Sequence, residues 1–278
     1  MCLSSTVRPP QPGDGAPFTE RTPRVVAARA LRRRKYRDSA GRFLAEGAQA
    51  VREVLATEHP VHELFVTATA ARRCAELIDA ARNKGIVASF VTDKAAAVLS
   101  DTVNPQGIVA VCDLVDVPVS DAVHPDATLV AILSDIADPG NAGAILRVAD
   151  AAGADAVVFA GETVDPHNGK AVRACTGSLF HLPLARVATV DEAIDCARAA
   201  GLTVIGAAGG GARTVHQASA HLKRPTAWVF GNEAHGLSTH ARDRVDEMLA
   251  VPLYGKAESL NLATAAAVCL YASAFAQH

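Results

Sequence analysis

Short apolar runs alternate with helical stripes along this 278-residue chain, and the alternation predicts its architecture. In the first half, Phe43 to Leu55 reads as a strand passing into a helix and Leu64-Phe65-Val66 as a strand. Ala70 to Asn83 follows as a helix closed by Gly85, and Ile86 to Val91 as another strand. The turn signal Asn104-Pro105-Gln106-Gly107 then precedes a strand over Ile108 to Leu114. From Val115 to Asp126 the rhythm lapses into Pro118, Pro125, Asp116, Asp121 and Asp126, which reads as a linker. It restarts with strand Leu129–Leu133, helix Ala142–Ala152, strand Ala156–Ala160, helix Asp191–Ala200 and strand Thr203–Ala207. Strands Ala227–Phe230 and Met248–Val251 and the apolar helix Leu260–Phe275 complete the pattern. Short strands separated by helices imply an α/β fold with a mostly parallel sheet covered on both faces.

Length favours two domains of roughly 100 to 150 residues each, with a single domain as the alternative. The boundaries read as a tail over 1–20, a first domain over 21–114, the linker over 115–126 and a second domain over 127–278. Half the residues are hydrophobic, yet no run reaches the ~18 apolar residues of a membrane span, so a soluble, non-membrane protein is expected. The tail, with Pro9, Pro10, Pro12, Pro17, Gly13 and Gly15, has a composition that stays disordered and lacks a signal-peptide pattern, which predicts a cytoplasmic location. Six scattered cysteines (Cys2, Cys74, Cys112, Cys175, Cys196, Cys269) form no Cys-x-x-Cys pair, so reduced thiols are expected and neither a disulfide framework nor a metal site.

The net charge of −2 hides a lopsided distribution. Nine basic residues against Asp38 crowd Arg21 to Arg42, a local +8 on a chain otherwise near −10. Such a segment is either the footprint of a polyanion or a solvated helix face. Its candidate phosphate contacts are Arg24, Arg32, Arg33, Arg34, Lys35 and Arg37; Tyr36 among them is either a stacking platform for a base or a core anchor.

Candidate chemistry gathers at predicted strand ends in the second half, where open α/β sheets assemble ligand sites. Asn141-Ala142-Gly143 with Arg147, Gly231-Asn232-Glu233 with Gly236, and Glu258-Ser259-Leu260-Asn261 form three polar clusters. Each also has a plainer reading. Asn141 is a good N-cap for a helix with the apolar stripe Ile145, Val148, Ala149 and Ala152, and Arg147, off that stripe, is placed at the surface to pair with Asp150 or with solvent. Gly231-Asn232-Glu233 also suits a polar turn, and Ser259 an N-cap with Asn261 in the first helical turn. Gly209-Gly210-Gly211 lacks the spacing of a phosphate-binding loop and reads as a flexible loop.

In order and spacing, Asn141-x-Gly143-x-x-x-Arg147, Gly231-x-Glu233-x-x-Gly236-Leu237-Ser238, and Val251-Pro252 followed by Glu258-Ser259-Leu260-Asn261 resemble the three motifs of the SpoU (TrmH) family of RNA ribose 2′-O-methyltransferases. Lys170-Ala171-Val172-Arg173 and Gly177-Ser178-Leu179-Phe180-His181-Leu182-Pro183 are also similar to that family. Lys35-Tyr36-Arg37, Phe43-Leu44-Ala45-Glu46-Gly47 and Asn104-Pro105-Gln106-Gly107-Ile108-Val109-Ala110 resemble its RNA-binding domain. The resemblance spans Arg24 to Phe275; Cys175 and Ala263 stand where relatives often carry serine, and Gly169 where proline is common.

The resemblance implies a C-terminal α/β SPOUT domain with a deep trefoil knot and a smaller N-terminal α/β domain of L30e-like type. It implies S-adenosyl-L-methionine as cofactor, held near Ala207, Gly231, Asn232, Val251 and Leu260, and a homodimer in which Arg147 reaches the partner's cofactor. Ribosomal RNA is the expected substrate, because the N-terminal domain looks like those of rRNA-directed and thiostrepton-resistance members; transfer RNA is the alternative. A ribose 2′-hydroxyl is a poor nucleophile, so alignment and charge stabilisation are the groups' tasks. Arg147 is expected to stabilise developing oxyanion charge while Asn141, Glu233, Ser259 and Asn261 position it and the substrate; the acceptor of the proton stays open. A non-catalytic RNA-binding protein on the same scaffold would lose these polar residues, and a nicotinamide-dependent oxidoreductase would need a Gly-x-Gly-x-x-Gly turn that the chain lacks.

Overall fold

Two apolar cores, each built on its own sheet, organise the residues described by the computed structural model, 15–209 and 213–278. Contacts divide the chain accordingly: one unit runs to Leu114 and includes His167–Phe180, and the other is Val115–Pro166 with His181–His278.

The first unit opens with α1 (Pro23–Ala30) and α2 (Arg34–Ala40), followed by β1 (Arg42–Glu46), α3 (Ala48–Ala56) and β2 (Val61–Thr67). Then come α4 (Ala68–Arg73), α5 (Ala75–Asn83), β3 (Ala88–Val91), α6 (Asp93–Leu99) and β4 (Ile108–Asp113). Its sheet has the order β1-β4-β2-β3, antiparallel except for the β2–β3 pair. Val25, Leu44, Phe65, Leu99 and Val109 pack one face against α1 and α6.

Onward, the chain forms α7 (Val119–Ala122), β5 (Leu129–Ser134), α8 (Pro139–Ala151), β6 (Ala156–Ala160) and α9 (Gly169–Ala174), the last belonging to the first unit. The second unit continues with β7 (Leu184–Val187), α10 (Val190–Ala199), β8 (Thr203–Ala208) and β9 (Arg213–Thr214). It ends with β10 (Thr226–Phe230), α11 (Thr239–Arg244), β11 (Glu247–Ala250) and α12 (Leu262–Gln277). Its sheet is parallel throughout, in the order β7-β6-β5-β10-β8-β11-β9. Every residue of β5, β6 and β10 is buried, as a parallel sheet covered on both faces requires. Val130, Ile132, Val158, Val204 and Val229 pack with α10 on one face; α8 and α12 cover the other.

Several sequence-based expectations shift. The helix expected over Ala70–Asn83 is two, α4 and α5, broken at Cys74, which leaves helical geometry at φ −119° and ψ 41°. The expected linker 115–126 is ordered within the second unit: Val117 N donates to Leu184 O at 2.9 Å, and Ala122 and Val123 are buried. The apolar spacing Val119, Ala122, Val123 is what packs α7 there. The tail expected over 1–20 gives way by Phe18, which pairs with Val91, donating to Phe90 O at 2.8 Å and accepting from Thr92 N at 2.9 Å. Residues 1–14, and Gly210 and Gly211 of the triple-glycine run, lie outside the described residues. The helices α6, α9 and α11 and the strands β7 and β9 carry no expectation from periodicity, being too short to show one.

The segment His167–Phe180 joins the first unit through polar and aromatic contacts. Arg173 Nη1 lies 2.8 Å from Glu46 Oε2, and Glu46, buried, also accepts from Ser100 Oγ and from Thr102 Oγ1. The rings of Phe43 and His167 are 4.8 Å apart. Among the described residues no helix is long and apolar enough to cross a membrane, and all five cysteines there are free thiols.

In the second core, fully buried Trp228 donates its indole N–H to fully buried Ser273 Oγ at 2.9 Å. Ser273→Ala should strand that donor and lower unfolding free energy by ~1–3 kcal/mol, read as a shifted urea midpoint at unchanged slope, with Ser273→Thr losing less.

Candidate active site

Strands β5, β10, β8 and β11 are parallel neighbours, so the segments leaving them emerge on one edge. From β5 the chain runs through β6 to β7 in one direction, whereas β8 and β11 lie on the other side of β10. Such a reversal in strand order opens a crevice between diverging loops, the usual ligand site of open α/β sheets. A cleft of about 350 Å³ lies there, lined at the strand ends by Ala207, Ala208, Gly209, Gly231 and Val251 and closed by Ser259, Leu260, Leu262 and Ala265. Asn232, Glu233, His235 and Arg242 supply its polar side.

Glu233 ties this rim together. Its Oε2 accepts from Ala137 N at 3.0 Å, and its Oε1 from Asp138 N at 3.0 Å and from Asn141 Nδ2 at 3.1 Å. Asn141 Oδ1 in turn accepts from Asn261 Nδ2 at 3.0 Å, and Asn261 Oδ1 accepts from Ala263 N at 2.9 Å to start α12. One hydrogen-bonded chain therefore joins the loop after β10, the start of α8 and the start of α12. Partial burial raises the Glu233 pKa, but the hydrogen bonds from Ala137, Asn141 and Asp138 outweigh it and hold the carboxyl below its ordinary value.

The helix caps differ from those expected. Asp138, not Asn141, caps α8, its Oδ1 accepting from Gly140 N at 2.6 Å and Asn141 N at 3.0 Å, with Pro139 in the first turn. Asp followed by Pro is a legible helix start that points one turn earlier; Asn141 sits inside the helix and turns its amide to Glu233. Likewise Asn261, not Ser259, caps α12, and exposed Ser259 lines the cleft.

The loop after β10 is a tight turn. Asn232 and Gly236 exchange backbone hydrogen bonds of 3.0 and 2.8 Å, and Asn232 Nδ2 donates to Asp135 O at 2.9 Å. A Cβ on Gly231 would lie 2.3 Å from Gly236 C and Leu237 N. The absent side chain thus makes room first for the loop's own backbone. Asp135 holds a left-handed φ of 57° at the end of β5, steadied by Glu162 N donating to its Oδ1 at 2.9 Å. Asp135 does not stand out in the sequence as a site residue, because its contacts with Asn232 and Glu162 join segments distant along the chain.

Of the residues expected from the sequence, Ala207, Gly231, Asn232, Glu233, Val251, Ser259 and Leu260 line the cleft, and Asn141 and Asn261 are bonded to its rim. Arg147 stands apart, exposed on α8, with no side-chain hydrogen bond or ion pair among the described residues. Of the two plain outcomes, Asp150 or solvent, it takes solvent, and Asp150 receives His181 Nδ1 at 2.8 Å.

In the first unit the basic cluster divides. Arg37 is buried and donates to Leu31 O at 2.9 Å and Arg32 O at 3.0 Å, so it braces a turn and is not a free phosphate contact. Arg24 pairs with Glu63 at 2.8 Å, Arg32 with Asp101, and Arg34 with Asp38 at 3.6 Å. Arg33 and Lys35 are exposed with no such partner among the described residues.

The model of the SpoU rRNA methylase family matches residues 128–271. This chain belongs to that family. The model of the MRM3-like substrate-binding domain matches residues 22–110. The chain is 34% identical over 244 residues to the 23S rRNA (guanosine(2553)-2′-O)-methyltransferase RlmP of Bacillus subtilis, covering 87% of this chain and 92% of the relative. It is also 34% identical to a 23S rRNA (uridine(2479)-2′-O)-methyltransferase of Streptomyces viridochromogenes, covering 87% and 85%. Among solved structures, the SpoU methyltransferase AviRb from that organism, in complex with AdoMet, superposes with a TM-score of 0.79 at 30% identity, covering 91% of this chain and 98% of AviRb. The AdoMet-bound rRNA methyltransferase of Sinorhizobium meliloti gives 0.77 at 30%, covering 91% and 94%.

The SpoU cleft fits such a cofactor on its own geometry. Its volume suits a small ligand; Leu253, Leu260 and Leu262 offer apolar surface for a flat base. A Cβ added to Gly209 would meet no atom of the described residues within 4 Å, which leaves room for a ligand beside the end of β8.

Because the folded Glu233 carboxyl titrates below its ordinary value of 4.5, its contribution to stability is complete above that pH and is lost as pH falls through the lower folded value. Glu233→Gln should therefore cost on the order of 1 kcal/mol near neutrality, exposure keeping the loss small. Urea midpoints of wild type and variant should converge on acidification below about pH 4; a gap independent of pH would contradict the assignment.

Proposed function

We propose that this SpoU protein is an S-adenosylmethionine-dependent RNA ribose 2′-O-methyltransferase acting on ribosomal RNA as a homodimer. The observation that carries the reading is the Glu233–Asn141–Asn261 chain, which binds three family motifs into one rim beside the cleft. The rRNA methyltransferases at 34% identity support ribosomal RNA as the substrate class.

When bound, S-adenosylmethionine supplies a methyl group made electrophilic by its sulfonium. The chain must align a 2′-hydroxyl with it and stabilise the charge that develops as the proton leaves. Glu233 is a poor base, since three donors occupy its oxygens and its carboxyl titrates low. It, Asn141 and Asn261 act as positioning residues that fix the cleft wall. Ser259, exposed at the cleft, is free to meet the substrate. Arg147 cannot serve as an ordinary base, because a guanidinium has no acceptor at working pH; it orients ribose or phosphate and stabilises oxyanion charge.

Arg147 is absent from the lining of its own chain's cleft, and α8, which carries it, packs beside α12. From Leu260 through α12, Leu260, Val268 and Phe275 remain 37%, 38% and 79% exposed. An apolar face of this kind beside an unpaired arginine supports an isologous dimer through α8 and α12, with Arg147 serving the partner's cleft.

Arg147→Ala should lower the methyl-transfer rate by about a hundredfold or more with little change in thermal midpoint, and lysine should rescue it poorly because the planar fork is lost. Single-turnover transfer of labelled methyl to ribosomal RNA checks this. Mixed dimers give a further readout: Arg147→Ala co-expressed with Glu233→Ala should regain one working site. Activity no higher than that of either homodimer, in a preparation containing heterodimers, would assign Arg147 to its own chain.

A further inference from the structure

At the elbow between α1 and α2 lies a concavity of about 510 Å³ lined by Val26, Arg29, Ala30, Arg32, Arg33, Tyr36 and Asp101. The elbow is held rigidly. Leu31 is buried beneath it, and Arg37 bonds the carbonyls of Leu31 and Arg32 from within. Arg32 is fixed as well, its Nε donating to Asp101 Oδ1 at 2.6 Å and its Nη1 to Val98 O at 3.2 Å. The charge of Asp101 is thereby matched inside the cavity. Arg29 and Arg33 are different: both are exposed, and neither side chain has a hydrogen bond or ion pair among the described residues. Tyr36 and Val26 stay 45% and 40% exposed in the same recess.

Two unmatched guanidinium groups and an accessible aromatic ring in one recess suit an unpaired nucleotide. The ring offers a face for an unstacked base and the arginines meet its phosphates. A duplex presents only base edges and would leave Tyr36 without a stacking partner. Arg32, already engaged, shapes the floor without competing for the ligand.

We infer that this elbow is a subsite for one unpaired nucleotide of the RNA substrate, its base stacked on Tyr36 and its flanking phosphates on Arg29 and Arg33. The inference rests on the RNA-methyltransferase reading above. It assigns to the first unit a preference for splayed-out bases over helical RNA.

The test uses the full chain, a short single-stranded RNA carrying 2-aminopurine, a duplex of the same sequence, and S-adenosylmethionine binding by calorimetry as a control. Wild type and Tyr36→Phe should quench 2-aminopurine on binding. Tyr36→Ala should abolish the quench and weaken single-strand affinity on the order of tenfold to a hundredfold, with duplex and cofactor binding unchanged. Arg29→Ala and Arg33→Ala should each flatten the log-log salt dependence by about 0.7. If Tyr36→Ala binds the single strand as wild type does, or if wild type prefers the duplex, while methyl transfer to RNA persists, the subsite is overturned and the enzymatic reading stands. A wild-type chain that binds S-adenosylmethionine but neither RNA would overturn both.

Discussion

The carboxylate of Glu233 is the constraint on which the candidate site depends. It sits on a five-residue turn closed by Asn232 and Gly236, and reaches the amides of Ala137 and Asp138 and the side chain of Asn141. These donors lie where α8 begins, so a negative charge there also opposes the positive end of the helix dipole, beside the capping carboxylate of Asp138. Through Asn141 the same constraint reaches Asn261 and the first turn of α12. A ligand entering the cleft therefore meets a rim whose Glu233, Asn141 and Asn261 side chains are already paired, and little ordering of that rim remains to be done on binding.

Behind that rim the support is apolar. Along α12 nearly all positions are hydrophobic or small; one side is buried against β5, β8 and β10, and the other keeps Val268 and Phe275 at the surface. The Trp228–Ser273 bond fixes the depth of the helix on the sheet, since an indole N–H buried without an acceptor is costly. The same helix thus anchors the cleft from beneath and leaves an outer face for association.

In the first unit, charge does two kinds of work. Arg37 and Arg32 complete the elbow by binding carbonyls and a carboxylate, and Arg24 neutralises Glu63, which is buried. Only Arg29, Arg33 and Lys35 within the helical stretch keep a charge unmatched among the described residues. A local excess of positive charge in the sequence therefore overstates what a polyanion meets, because some of those charges are structural.

The alternation of apolar runs sufficed to predict the α/β class, five of the seven strands of the second sheet near their observed limits, and its parallel character, because fully buried parallel strands write continuous Val, Ile, Leu and Ala runs. Polar residues at strand ends pointed to Glu233, Asn141 and Asn261, since their spacing is unusual enough to carry a family resemblance. Short elements such as β7 and α11 left no readable period. The order β5-β10-β8, the transfer of Arg173 to Glu46 in the first unit, the division of the arginines into bracing and free, and the role of Asp135 were decided by tertiary structure. Their decisive contacts join residues distant in sequence, such as Arg173 with Glu46 and Arg32 with Asp101, and local pattern records which side chains are present but not which ones the folded chain brings within hydrogen-bonding distance.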